Sequence, residues 1–206
     1  MTAVKKKPAI IFDFGGVLID WNPRHLYRRI FENAEEMESF LTEVGLSAWN
    51  EQQDAGRPFA EAVALLTAQH PHRTELIRAF WECWEETVAG TIEPTVQILK
   101  KLKARNHTLA GLSNWSAETF PRVRHQFEFF DLLDAIVLSG EEKVSKPDAR
   151  IFQILLKRIN HTAGECIFID DSVKNTEAAQ HLGFQVIHFQ SPAQLDEKLS
   201  QMNILA

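Results

Sequence analysis

Five short runs of almost wholly apolar residues, set between amphipathic stretches, constrain the fold of this chain more than any other feature. They are Ala9 to Phe14, Thr108 to Ser113, Ala135 to Ser139, Cys166 to Asp171 and Gln185 to Phe189. A strand with one face in water alternates polar and apolar residues, so a run without alternation reads as a parallel strand covered on both faces. The stretches before the later runs carry helical periodicity. In Glu93 to Arg105, Val96, Leu99, Leu102 and Lys103 recur at helical spacing after Pro94 as an initiator. Pro147 to Ile159 presents Ile151, Leu155 and Ile159 on one face, and Asn175 to Leu182 stops at Gly183, a helix-ending glycine. Strands and helices alternating in this way are βαβ units, which predicts an α/β fold on a parallel sheet with right-handed crossovers.

The interval from about Asp20 to Gly90 breaks the rhythm. Helical patterns run over Glu35 to Val44, Phe59 to Gln69 and Thr74 to Val88, with no convincing strand among them. It reads as a helical cap inserted into the α/β core, and Trp49, Trp81 and Trp84 at helical spacing read as its packing residues rather than as a substrate pocket. A chain of 206 residues is long enough for a core domain carrying such an insertion.

The 22 basic and 28 acidic residues give a net charge of -6, which offers no long-range attraction to nucleic acid or to an anionic membrane. Lys5, Lys6 and Lys7 read as a solvated tail, and no apolar run is long enough for a signal peptide or a membrane span, which predicts a cytoplasmic protein. Cys83 and Cys166 lack metal-knuckle or disulfide-scaffold spacing and read as small buried apolar residues, and His70-Pro71-His72 reads as a loop.

In open parallel sheets the ligand site lies beyond the carboxyl ends of the strands, so the residues at those ends carry the functional information. The first run ends in Asp13-Phe14-Gly15-Gly16-Val17, the second in Ser113-Asn114 and the fourth in Asp170-Asp171, while Lys146-Pro147 is expected to open the helix after the third. Each alone is an ordinary turn or cap residue. A carboxylate, a hydroxyl, a cation and a carboxylate pair at successive strand ends form one chemically coherent crevice.

Taken in that order, these residues resemble the haloacid dehalogenase superfamily, whose first motif is usually Asp-x-Asp-Gly-Thr or Val, followed by a strand-end Ser or Thr, a Lys and a closing acidic motif. The resemblance spans nearly the whole chain. It implies a Rossmann-like core over residues 1–20 and 91–206 and a small helical cap over 21–90. Ser113-Asn114, Lys146-Pro147 and Ile169 to Asn175 look especially like the branch containing sugar-phosphate phosphatases and the phosphatase domain of soluble epoxide hydrolase. The resemblance implies that Asp13 attacks phosphorus and forms an aspartyl phosphate. Ser113 and the Asn114 backbone would donate to phosphoryl oxygens, and Lys146 would pair with Asp13 and the phosphate. A magnesium ion would take Asp13, the Gly15 carbonyl and Asp171, with Asp170 and Asn175 completing or orienting the shell. The expected partner is a small phosphorylated substrate, and the expected assembly a monomer or homodimer.

One position departs from the pattern. The second Asp of the first motif, which protonates the leaving oxygen and later activates water, is Gly15 here, leaving a cap residue, a water or the substrate itself to supply the proton. Two rival functions follow from that loss. A 2-haloacid dehalogenase also lacks the second Asp, needs no metal and replaces the closing carboxylates by uncharged residues, unlike Asp170-Asp171. A non-catalytic phosphate and metal-binding protein would not need Asp13 and Lys146 together. Candidates to touch the leaving group are Arg24, Arg57 and Trp49 from the cap and Trp115 from the core side, none of which the sequence places.

Overall fold

A computed structural model describes residues 7–205. Lys7 donates to the Arg105 carbonyl at 2.6 Å, and Lys5 and Lys6 lie outside the described residues. The five apolar runs form one parallel sheet. Its strands are β1 (Ala9–Phe12), β4 (Leu109–Ser113), β5 (Ala135–Leu138), β6 (Cys166–Asp170) and β7 (Gln185–His188), with β2 (Ile19–Trp21) and β3 (Val88–Thr91) forming a separate two-stranded ribbon. The sheet order is β5-β4-β1-β6-β7, every pair parallel. The chain therefore winds outward from β1 on one side and then returns to build the other, and β1 stands where the winding reverses. A crevice opens at such a reversal.

Successive residues of β1 face opposite layers. Ile10 and Phe12 join a core containing Val96, Leu99 and Leu102 of the helix Glu93–Ala104 and Leu195 and Leu199 of the helix Pro192–Gln201. Ala9 and Ile11 join a second core with Ile151, Phe152 and Leu155 of the helix Ala149–Ile159 and Ala179 of the helix Val173–His181. All residues of β1, β4 and β6 are buried, which is the physical reason that their sequences do not alternate.

The helical interval differs from the expectation in one respect, because its ends are strands. β2 and β3 pair antiparallel, Ile19 opposite Thr91 and Trp21 opposite Val88. Between them lie five helices, Pro23–Tyr27, Ala34–Glu43, Leu46–Asp54, Phe59–Gln69 and Thr74–Glu82, the last stopping well short of Val88. Their core of Tyr27, Phe40, Trp49, Phe59 and Phe80 is continuous with the sheet layer around Phe12 and Phe14. Lys146-Pro147 does not open the helix after β5. Ala149 does, capped by Asp148, whose side chain accepts from the Arg150 amide at 2.8 Å, because a short helix, Ser139–Glu142, and a loop intervene. Cys166 is buried in β6 as expected, whereas Cys83 is only half-buried where the helix Thr74–Glu82 ends.

Gly111 on β4 lies against the Phe14 ring, which a Cβ at that position would overlap. Phe14 follows Asp13 directly, so this contact sets the direction in which the chain leaves β1. We expect Gly111→Ala to destabilise the fold by about 1–3 kcal/mol through overpacking. Urea denaturation checks it, and an unchanged midpoint would contradict the role given to that contact.

Candidate active site

The strand-end residues converge. The Asp13 amide donates to the Ile169 carbonyl at 2.9 Å, tying the end of β1 to β6 and bringing Asp13 beside Asp170 and Asp171. Lys146 reaches between them, its ammonium 2.9 Å from Asp13 Oδ2 and 2.6 Å from Asp170 Oδ2. Its side chain is 1% exposed and that of Asp170 is 0% exposed, so the three charges share a dry interior. Removing one partner from such a group leaves an unpaired buried charge, at a cost of about 3–5 kcal/mol. Asn114 fixes the lysine from the backbone side: its Oδ1 accepts from the Lys146 amide at 2.8 Å and its Nδ2 donates to the Lys146 carbonyl at 3.0 Å. That use of the Asn114 side chain was not foreseen from sequence. The Lys146-Pro147 peptide is cis.

Burial pushes the Asp13 carboxyl above the ordinary carboxylate range; the Asp170 charge adds to this, while Lys146 and a hydrogen bond from Ser113 oppose it. For Lys146 burial works the other way, but Asp13 and Asp170 outweigh it and hold the amine protonated. Asp171 is exposed, and its carboxyl is raised by partial burial and by the Asp170 charge.

The carboxylates differ in spare acceptor capacity. Asp170 Oδ1 accepts from the Ser172 amide at 2.8 Å and from Asn175 Nδ2 at 3.1 Å, and Oδ2 accepts from Lys146 and from Asn175 Nδ2 at 3.2 Å. Four such contacts use the acceptor sites of a carboxylate. Asp13 Oδ1 accepts from the Phe14 amide at 2.7 Å, and Asp171 packs against Gly16, where a Cβ would overlap its Oδ2. Gly16 is left-handed at φ 75°, whereas Gly15 is not left-handed and has nothing within 4 Å of a Cβ position. Ligand atoms of Asp13, Asp170 and Asp171 lie within 4.8 Å of one another. Three carboxylates facing one ammonium leave an excess of negative charge, and these hard oxygen donors fit a magnesium-sized cation.

Above Gly15 a cavity of about 60 Å³ is lined by Asp54, Ser113, Asn114, Trp84 and Trp115. Trp21 and Asn50 line both this cavity and an adjoining one of about 550 Å³, whose wall includes Arg24, Leu41, Leu46 and Phe80. Arg57 and Trp49 line a different cavity instead; Arg57 bonds Gln53, and the Trp49 indole donates to the Ala62 carbonyl at 3.2 Å. Trp115 therefore lines the cavity at Gly15 and Arg24 the one adjoining it, and Arg57 and Trp49 line neither.

Asp54 was missed by sequence reasoning. It ends the helix Leu46–Asp54, whose run of Asn50, Glu51, Gln52, Gln53 and Asp54 looks like a solvated surface, and only tertiary contact brings it to the site. Its Oδ1 accepts from the Ser116 amide at 3.0 Å, its Oδ2 from Asn50 Nδ2 at 2.8 Å, and its carbonyl from the Ser139 hydroxyl. Burial pushes its carboxyl up to about 8, with the Ser116 hydrogen bond opposing and the charges of Glu51 and Asp13 adding.

A family model described as haloacid dehalogenase-like hydrolase matches residues 7–183. The chain is 27% identical over 190 residues to the sesquiterpene phosphatase of Aspergillus oryzae, covering 87% of this chain and 88% of that one. It is 26% identical to the phosphorylated carbohydrates phosphatase of Thermotoga maritima (87% and 83% covered) and 23% identical to the (S)-2-haloacid dehalogenase 4A of Burkholderia cepacia (87% and 81% covered). Among solved structures, a family enzyme of Bacteroides thetaiotaomicron in complex with magnesium and inorganic phosphate superposes with a TM-score of 0.65 at 25% identity, covering 90% of this chain and 95% of that one. No helix among the described residues is long and apolar enough to cross a membrane.

The raised Asp54 carboxyl makes stability depend on pH. Between the ordinary carboxylate range and about pH 8 the folded state keeps a proton that the unfolded state releases, so this contribution is lost as pH rises. Asp54→Asn cannot ionise, and its stability relative to the parent should improve steadily from about pH 5 to about pH 8 in urea titrations. A difference independent of pH would contradict the raised value.

Proposed function

The chain belongs to the haloacid dehalogenase-like hydrolases, and on that premise we propose that it is a magnesium-dependent phosphomonoesterase acting on a small phosphate ester through an aspartyl phosphate on Asp13. The observation that carries this reading is the combination of Asp13, Asp170 and Asp171 around Lys146. A dehalogenase attacking carbon needs no cation, and a cluster of three carboxylates with one lysine would be an unfavourable way to build a metal-free site. Two relatives named as phosphatases and the magnesium and phosphate complex of a structural neighbour support the same choice. The dehalogenase relative keeps the rival open to test.

In this reading Asp13 is the nucleophile. Its Oδ1 is held by the Phe14 amide and its Oδ2 by Lys146, which fixes the carboxylate at the mouth of the crevice without rotamer freedom. The Ser113 hydroxyl and the Asn114 amide would donate to the equatorial phosphoryl oxygens, and the Lys146 ammonium would offset the charge that develops there. Asp170 serves as a positioning residue that orients Lys146, Ser172 and Asn175 rather than as a primary ligand. Asp13, Asp171 and the Gly15 carbonyl would hold magnesium, which neutralises phosphoryl charge when bound. The helical residues 21–90 act as the cap, which closes the site from water over residues 1–20 and 91–206.

The cavity of about 550 Å³ accommodates a leaving group several carbons long, with apolar walls at Leu41, Leu46 and Phe80 and a charged edge at Arg24 and Glu38. Two outcomes are expected. Phosphate release from a panel of phosphorylated sugars, prenyl and aryl alcohols should require magnesium and vanish in excess chelator. Asp13→Asn should stay folded, bind inorganic phosphate and lose at least about 10³-fold in kcat, the scale of removing a covalent nucleophile. Halide release from a 2-haloacid in excess chelator would hand the case to the dehalogenase reading.

A further inference from the structure

A phosphatase built on Asp13 needs a proton for the leaving oxygen, and Gly15 cannot supply it. On the reading above, we propose that Asp54, reaching the site from the helical segment, is the general acid and base of this enzyme. Asp54 and Gly15 line the same cavity of about 60 Å³, together with Ser113 and Asn114 at the phosphate end. The space above Gly15 that a side chain would take is open, and Asp54 lines the same cavity.

The carboxyl is held in place. Ser116, three residues after the strand-end Ser113, donates its amide to Oδ1 at 3.0 Å, and Asn50, one turn earlier on the same helix, donates to Oδ2 at 2.8 Å. The Ser139 hydroxyl donates to the Asp54 carbonyl and itself accepts from the Trp115 amide at 2.9 Å. Two residues beyond the carboxyl ends of β4 and β5, Ser116 and Ser139, thus hold one residue of the helical segment. Surface capping does not require so many core contacts. The groups around it are mixed in charge, with Glu51 and Asp13 acidic and Lys146 and Lys174 lining an adjoining cavity that Asp54 also lines. Its raised carboxyl is protonated at neutral pH, which an acid must be before it can donate.

The proton balance closes over the two half-reactions. As an Asp13 oxygen bonds to phosphorus and the bond from phosphorus to the leaving oxygen breaks, the Asp54 proton passes to that oxygen, giving the free alcohol and an Asp54 carboxylate. In the second half, Asp54 takes a proton from water as the water oxygen bonds to phosphorus and the Asp13–phosphorus bond breaks. Inorganic phosphate leaves, Asp13 returns as a carboxylate and Asp54 as an acid.

The test is a plot of log kcat/KM against leaving-group pKa for a series of aryl and alkyl phosphates with magnesium. It is measured for the parent, Asp54→Asn, Asp54→Ser and Asp54→Asn carrying Gly15→Asp, each checked for folding by circular dichroism. The parent should give a shallow slope. Both Asp54 variants should give a steep one, losing about 10²- to 10⁴-fold on alkyl phosphates and progressively less as the leaving group improves. Gly15→Asp should restore part of the loss on the poor leaving groups. A steep slope in the parent, or equal slopes in parent and variants, would overturn the assignment, because a merely structural Asp54 would lower all substrates by one factor. A parent inert towards every phosphate ester would overturn the phosphatase reading itself and this proposal with it.

Discussion

The ammonium of Lys146 is the interaction on which the site depends. It sits between Asp13 and Asp170 with almost no exposure to water. Two carboxylates this close would repel each other and favour protonation, and a protonated Asp13 is no nucleophile. Lys146 opposes that tendency without cancelling it, and the surrounding structure holds Lys146. Asn114 at the end of β4 grips its backbone from both sides, and Asn175 fills the remaining acceptor sites of Asp170. The strand order accounts for the meeting of these residues: β1 is central, with β4 and β6 as its immediate neighbours, so their carboxyl ends open onto one crevice.

Much of the scaffold was legible in the sequence, for a physical reason. Strands buried on both faces must be apolar throughout, and β1, β4 and β6 are, which also located Asp13, Ser113 and Asp170 at their ends. The ribbon was not legible. Ile19–Trp21 is three residues long and Val88–Thr91 is partly exposed and contains a glycine, so neither shows the apolar run or the alternation by which a strand is recognised. The helix Leu46–Asp54 was equally hard to see, because it starts after a left-handed Gly45 without a side-chain cap and is mostly polar.

The same helix explains why Asp54 could not be read as part of the site. A carboxylate in a polar helical run is ordinarily a solvated face, and nothing local distinguishes this one. Beyond Asn50 on its own helix, its partners are distant along the chain, with Ser116 at a separation of 62 and Ser139 at 85. Asp171 was easier, since it follows a buried strand. Hydrogen bonding distinguishes Asp170 from Asp171, which the sequence did not: the buried one is saturated by protein donors, and the exposed one faces the loop at Gly16.

The central claim is that Asp13 carries the phosphoryl group. Turnover of an aryl phosphate in the presence of hydroxylamine tests it most directly, because hydroxylamine converts an acyl phosphate irreversibly into a hydroxamate and so accumulates a record of a short-lived intermediate over many turnovers. Peptide mass analysis should find inactivation that depends on both substrate and magnesium, with the hydroxamate on Asp13 and on no other carboxylate. Sustained turnover with Asp13 unmodified, or the modification falling on another residue, would contradict the account.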